Sequence, residues 1–231
     1  MTNYNAVAMA ATKRLQSQLG VVSDGYWGAS SQLKLHTSKA QVKYDWDKLR
    51  SHFGRLNQSQ VDGFNAVLSA INQYGSPANK PAYVAYMLAT AWHETAATMQ
   101  PIAEYGKGKG RPYGKRIDVH GGRYSDSLPI YYGRGYVQLT WLTNYVFMKN
   151  RLGVDFVNNP ELALNPKHAA DIMITGMLEG SFTGKSFQKY ITYGLYFEFV
   201  NARRIINGTD KATLIARYAV NFLDSLTMTQ S

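Results

Sequence analysis

The 231-residue chain has no cysteine. Disulfides, thiolate nucleophiles and cysteine-rich zinc sites are therefore excluded. Acidic residues are also scarce: 15 against 25 lysines and arginines, a formal net charge of +10. Such a surface attracts polyanions, whether nucleic acid, anionic lipid or anionic cell wall. Charge alone does not choose among them, and a basic surface kept for solubility is the plain alternative. Long apolar runs are missing too. The longest helix-like one, "YVAYMLATAW" from Tyr83 to Trp92, is too short to span a bilayer. The start, "MTNYNAVAMAATKRLQ", lacks the basic stretch followed by an apolar block that marks a secretory signal. Synthesis in a cytoplasm is expected. Hydrophobic residues make up 45% of the chain, which is enough for a sizeable core. The length suits one large domain or one domain with a small appendage.

Helical signals dominate. "AVAMAATKRLQSQLG" repeats apolar residues at helical spacing and stops at Gly20, and "SDGYWGASSQLKL" gives a turn and a second short helix. Residues 1–37 read as a small helical unit, 38–44 as a polar linker and 45–231 as the main domain. Ser59 with Asp62 reads as a capping pair for a helix ending before Gly75. Pro81 suits the first turn of the next helix, and Asn165–Pro166 opens another that Gly180 closes. Thr209 or Asp210 caps a last helix reaching about Leu226. Residues 105–136, rich in Gly, Tyr and basic side chains, read as a long loop or small hairpin, a common place for function. The fold expected is mainly α.

The stretch "AWHETAATMQPIAEY" (91–105) holds two carboxylates in an apolar setting. Met87, Thr90, Ala91 and Glu94 share one helix face. Partial burial there would raise a carboxyl pKa, which suits a general acid. The alternative is that Glu94 pairs with a buried arginine or caps a neighbouring element. Hydrolysis of a glycosidic bond usually takes a second carboxyl group, as nucleophile or as base on water. Glu104, just past Pro101, is the nearest candidate, with Asp118 and Asp126 as rivals.

"YYGRGYVQLTWLTNY" (131–145) follows. Gly133 and Gly135 flank Arg134 and allow tight backbone geometry. Gln138, Thr140 and Asn144 offer groups that bind sugar hydroxyls, acetamido groups or a water. Tyr131, Tyr132 and Trp141 offer flat apolar contact.

Taken together, these segments resemble glycoside hydrolase family 19, which holds chitinases and many bacteriophage endolysins. "HET" at 93–95 matches the motif of the family's catalytic acid. "YYGRGYVQLTWLTNY" matches its glycine-rich signature, and "RRIINGT" (203–209) resembles its late segment. The resemblance implies a lysozyme-like, mainly α fold and an inverting mechanism. Glu94 falls on the acid and Thr140 on the position that helps hold the catalytic water. Tyr132, Arg134, Gln138, Asn144 and Asn207 fall on substrate-contacting segments. An inverting pair is expected at roughly 6.5–9.5 Å. In plant-type members the base position falls on Arg116 here, whereas the shorter spacing of phage-type members fits Glu104. The family's glycine pair after "HET" is replaced by Ala96 and Ala97.

"LQSQLGVVSDGYWGASSQLKL" (15–35) is similar to the repeat of small helical peptidoglycan-binding domains. That implies wall contacts by Asp24, Tyr26 and Trp27, with a lid on the main domain as the alternative. The combined resemblances imply a monomeric endolysin cutting β-1,4 bonds of bacterial peptidoglycan. It would reach the wall through a membrane pore and be drawn to an anionic outer-membrane surface. A chitinase and a non-catalytic wall-binding protein are the alternatives. No cofactor, metal or specific nucleic acid is expected. "HETAA" is not H-E-x-x-H, and His36, His52, His93, His120 and His168 lack ligand spacing. "GKGKGRPYGKR" (106–116) does not satisfy the phosphate-loop pattern.

Overall fold

A helix that is apolar on every side is buried on every side, and the segment carrying Glu94 is of this kind. In the computed structural model, which describes residues 2–111 and 130–229, helix α5 (Pro81–Glu94) is buried at every position from Pro81 to Trp92. Pro81 occupies its first turn, where a missing N–H costs nothing. The other elements assemble around this axis.

Helices α1 (Tyr4–Leu19) and α2 (Ala29–Thr37) come first, then strand β1 (Gln41–Tyr44) and helices α3 (Trp46–Phe53) and α4 (Gln58–Tyr74). After α5 come the short strands β2 (Ile102–Ala103) and β3 (Arg134–Gly135) and helix α6 (Leu142–Leu152). A 3-10 turn (Pro160–Leu164), helix α7 (Pro166–Glu179), one-turn α8 (Phe187–Tyr190) and α9 (Tyr196–Ala202) lead to a second 3-10 turn (Arg203–Ile205). Helix α10 (Ala212–Asp224) and strand β4 (Leu226–Thr229) end the described chain. Helix α10 packs along α5, with α4 also against α5. Aromatic rings join them: Trp92 stacks on Phe64 with centroids at 5.8 Å, and Phe53 stacks on Phe222 at 4.2 Å. Among the described residues no helix is long and apolar enough to cross a membrane.

Two local expectations shift. The capping box of α4 is Asn57 with Gln60, two residues before the expected pair: each side chain accepts the other's backbone N–H at 2.9 Å. The last helix has Lys211, in a left-handed conformation and with no side-chain cap bond, at its N-cap in place of Thr209 or Asp210, and it ends at Asp224, because Leu226 belongs to β4. Asn165 caps α7 and Gly180 ends it with a positive φ, as the sequence suggests.

The stretch expected as a linker is a structural seam. Residues 41–44 pair antiparallel with β4, with Val42 opposite Met228 and Tyr44 opposite Leu226. The alternation in "QVKY" explains this, since Val42 and Tyr44 turn inward while Gln41 and Lys43 stay exposed. Helix α1 packs on α10 and β4. Arg14 donates from Nη1 to Asp224 Oδ1 at 2.9 Å and from Nη2 to the Asp224 and Leu226 carbonyls. Residues 1–37 therefore share one core with the rest.

Candidate active site

Helix α5 delivers Glu94 at its C-terminal end, where the buried axis emerges into a cleft of about 640 Å³. A carboxylate at a helix C-terminus meets the negative end of the helix dipole. Arg203 offsets this: its Nη1 donates to Glu94 Oε1 at 2.7 Å. Arg203 is only 3% exposed, and its Nε is fixed on the Asp210 carbonyl at 3.0 Å. The paired alternative for Glu94 is thus the one found, in place of a carboxyl alone on an apolar stripe. His93 is half-buried beside it. Burial, more than any neighbouring charge, lowers the His93 pKa and keeps the ring neutral near pH 7.

After Glu94 the chain turns through three non-glycine residues with positive φ: Ala96 (49°), Ala97 (64°) and Met99 (54°). Gly63 of α4 makes room for this turn. A Cβ on Gly63 would lie 1.9 Å from the Met99 carbonyl oxygen. Gln60 adds a hydrogen bond from Nε2 to the Ala97 carbonyl at 2.8 Å. The turn feeds β2, which pairs with β3 so that Ala103 faces Arg134. Glu104 continues the ladder: its N–H donates to the Gly133 carbonyl at 2.7 Å, and its Oε2 accepts from the Gly133 N–H at 3.1 Å. Backbone pairing thereby aims the second carboxylate into the same cleft as Glu94. The rivals Asp118 and Asp126 lie outside the described residues, as do Arg116 and His120.

The glycine-rich segment forms the opposite wall. Gln138 (φ 54°) and Trp141 (φ 73°) both hold left-handed backbone conformations, which cost free energy in a non-glycine residue. Gly133 sits under the Gln138 side chain, where a Cβ would come within 2.8 Å of Oε1. Gln138 lines the cleft, yet its Nε2 is spent on the Ile102 and Gly135 carbonyls at 3.0 and 3.2 Å. It braces the wall. Thr140 donates its hydroxyl proton to the Gln138 carbonyl at 2.7 Å, which leaves its lone pairs to accept. Asn144 donates Nδ2 to the Thr140 carbonyl at 2.9 Å and keeps its amide oxygen. Asn207 completes the ring of polar groups; its Oδ1 accepts from Gly208 N at 2.9 Å.

Glu94, Glu104, Gln138, Thr140, Asn144 and Asn207 are therefore brought together, and two expected substrate contacts are not. Arg134 is 2% exposed and works inside the wall. It donates to Glu161 Oε1 from Nη2 at 2.6 Å, to the Ile130 and Tyr132 carbonyls and to the Tyr145 hydroxyl, and it stacks on Tyr132 at 3.6 Å. Tyr132 is buried in the same knot and reaches Glu161 through its hydroxyl. At 2% exposure the guanidinium turns its donors to carbonyls, a hydroxyl and a carboxylate within the wall and does not reach a sugar in the cleft. The sequence reading missed Arg203, although it lies in the quoted "RRIINGT". It also missed Arg111, Phe182 and Ile206 on the rim of the cleft. Trp141, 48% exposed on that rim, gives the flat apolar surface.

The expected wall contacts near the N-terminus also divide. Trp27 is 2% exposed and donates its indole N–H to Gln32 at 2.9 Å. Asp24 accepts from the Tyr26 N–H and from Gln16 Nε2, both at 2.8 Å, and these bonds lower its pKa, the backbone one most. Both residues build the turn. Tyr26 remains 41% exposed, edge-on to Tyr193.

No protein-family model matches the chain. Chitinase 11 of Oryza sativa subsp. japonica is 33% identical over 103 residues, an alignment taking in 37% of this chain and 38% of that protein. Basic endochitinase B of Arabidopsis thaliana is 29% identical over 89 residues, 31% of this chain and 27% of that protein. The chain thus spans well under half the length of these curated relatives. Among solved structures, chitinase C from Streptomyces griseus matches with a TM-score of 0.52 and 24% identity, over 77% of this chain and 72% of that one. A mutant of chitinase C matches over the same shares, with a TM-score of 0.50 and 22% identity. Together with the buried α5 axis and the short two-stranded sheets, this likeness establishes that the chain has the mainly α, lysozyme-like fold of the family 19 glycoside hydrolases.

Proposed function

We propose that the chain is an inverting glycoside hydrolase that cuts the β-1,4 links of bacterial peptidoglycan, acting as an endolysin. The observation that carries this reading is the meeting of Glu94 and Glu104 in one cleft with Thr140, Asn144 and Asn207. Glu94 gives its proton to the glycosidic oxygen as the C1–O bond breaks, and Arg203 holds the carboxylate left behind. A water accepted by Thr140 attacks C1 from the other face and loses a proton to Glu104. Asn144 and Asn207 bind acetamido and hydroxyl groups, and Trp141 packs on a sugar ring. Burial disfavours a charge on His93 beside the acid, so Arg203 is the cation in direct contact with Glu94. The charge of +10 draws the enzyme to an anionic wall or outer-membrane surface. In the endolysin reading the enzyme is made in the host cytoplasm, reaches the wall through a membrane pore and works as a monomer.

A chitinase is the second reading, and two observations favour it. Both curated relatives are chitinases by name. Trp27 is buried inside the fold, which removes part of the argument for a wall-binding module, while Asp24 stays exposed with its Oδ1 engaged by the turn. Digestion of purified peptidoglycan by native protein and by Glu94→Gln, with borohydride-reduced ends identified by mass spectrometry, decides between them. Reduced N-acetylmuramic ends from native protein alone are expected. Reduced N-acetylglucosamine ends would keep the hydrolase and change the bond. No sugar ends from peptidoglycan, with cleavage of chitin oligomers, would establish the chitinase.

A further inference from the structure

A second groove, of about 530 Å³, lies between β1 and the C-terminal half of α4 and shares no lining residue with the Glu94 cleft. Asn65, Ser69 and Gln73 enter it from α4 at spacings of four, so they stack along one helix face. Lys43 joins them from the exposed side of β1. All four are exposed, and none makes a side-chain hydrogen bond or ion pair with another described residue. The floor, by contrast, is fixed. Asn72 donates to the Val42 carbonyl at 2.9 Å, and Tyr44 donates to the Phe64 carbonyl at 2.8 Å. Half-buried Trp46 is held against Tyr44 at 5.1 Å and edge-on to Phe64 at 6.5 Å.

This donor set selects a ligand class. Carboxamides and hydroxyls both donate and accept, as sugar hydroxyls and acetamido groups require. An indole ring offers a sugar flat apolar surface, and at Trp46 a sugar would share it with Arg50, whose guanidinium lies over the ring at 5.9 Å. A single lysine suits an isolated carboxylate, whereas a nucleic-acid backbone calls for several cations in a row. We infer that this groove is a second, non-catalytic glycan site that takes a stretch of β-1,4-linked N-acetylated amino sugars. The choice of ligand rests on the hydrolase reading of the cleft. A second foothold on a polymer raises the local concentration of bonds at the cleft, with no change in the chemistry there.

The test is an NMR titration of isotope-labelled, full-length Glu94→Gln with a soluble β-1,4 tetramer of N-acetylglucosamine. Saturable shifts of the Asn65 and Gln73 side-chain amides and of the Trp46 indole N–H are expected. In Asn65→Ala/Gln73→Ala on the same background, the tetramer should move the Trp46 signal only at concentrations at least about tenfold higher. The Trp141 signal in the cleft should titrate as before, and an otherwise unchanged spectrum would show that the variant folds. Movement of Trp141 alone, or of no signal, would overturn the proposal. Groove shifts in a protein whose native form releases no sugar ends would keep the groove and sink the hydrolase reading instead.

Discussion

Arg203 holds Glu94 at 2.7 Å across 109 residues of sequence, with the guanidinium side chain buried and the carboxylate at the mouth of the cleft. The pair joins the end of the central helix to the 3-10 turn that carries Asn207 toward the cleft. It couples stability to chemistry, because each partner leaves a poorly solvated charge if the other is removed.

Glu94→Gln should lose activity by on the order of 10²–10⁴-fold and keep its fold, since the amide oxygen still accepts from Arg203. Arg203→Ala should instead cost about 3–5 kcal/mol of stability. Reducing-end release and urea midpoints on both variants check this. A Glu94→Gln protein that still cleaves at the native rate would remove the assigned acid.

Glu104→Gln should slow cleavage by a similar factor, on the order of 10²–10⁴-fold, while oligomer binding stays near native. If the rate is unchanged, and Asp118→Asn or Asp126→Asn abolishes it, the base lies on one of those residues.

Ala96→Gly and Ala97→Gly should be neutral or stabilising, against the usual effect of glycine. Left-handed backbone costs alanine about 1–2 kcal/mol, and glycine gives back about 0.4–1 kcal/mol through the freedom of the unfolded chain. Thermal midpoints equal to or above native are expected. A clear drop would show that the alanine methyls contribute packing that outweighs the backbone term.

Gly63→Ala should be destabilising by about 1–3 kcal/mol. Its methyl would meet the Met99 carbonyl, backbone that cannot swing aside. The turn it displaces links the two glutamates, so activity should fall by more than the loss of folded protein explains. Specific activity per folded molecule measures this.

Asp224 should make stability fall in strong acid. Burial pushes its carboxyl up, but hydrogen bonds from Lys48, His52 and Arg14 outweigh burial and hold the pKa at about 2, below the usual 3.8. A depressed folded-state pKa gives stability that is complete above the unfolded value and lost as pH falls toward 2. Asp224→Asn should cost about 2 kcal/mol at pH 7, and the difference from native should shrink below pH 4 and vanish only below pH 2. Urea unfolding across that range checks the sign; a constant difference would refute it.

Much of this was legible in local pattern. The α5 axis follows from its unbroken apolar run and Pro81, and α7 from Asn165–Pro166 and Gly180. The capping box at Asn57 was less plain, because several polar residues there suit a cap and only backbone geometry chooses. Arg134 was expected at the substrate only because it lies in the segment that resembles the family signature, whereas it is buried in the wall. Its burial depends on Glu161 and Tyr145, which no spacing rule connects to it.

The sequence by itself determined the class of fold, the order of the helices and the positive charge, since periodicity, caps and composition act over a few residues, and it offered Glu94 and Glu104 as candidates. Tertiary structure alone decided which polar groups face the cleft and which are spent inside the wall. It joined Arg203 to Glu94, aimed Glu104 through the β2–β3 pair, and turned a polar stretch at 41–44 into a strand sealing the N-terminal helices to the core. The physical reason is that hydrogen bonds and ion pairs between distant segments depend on where the core places their backbones, and each donor can be satisfied only once.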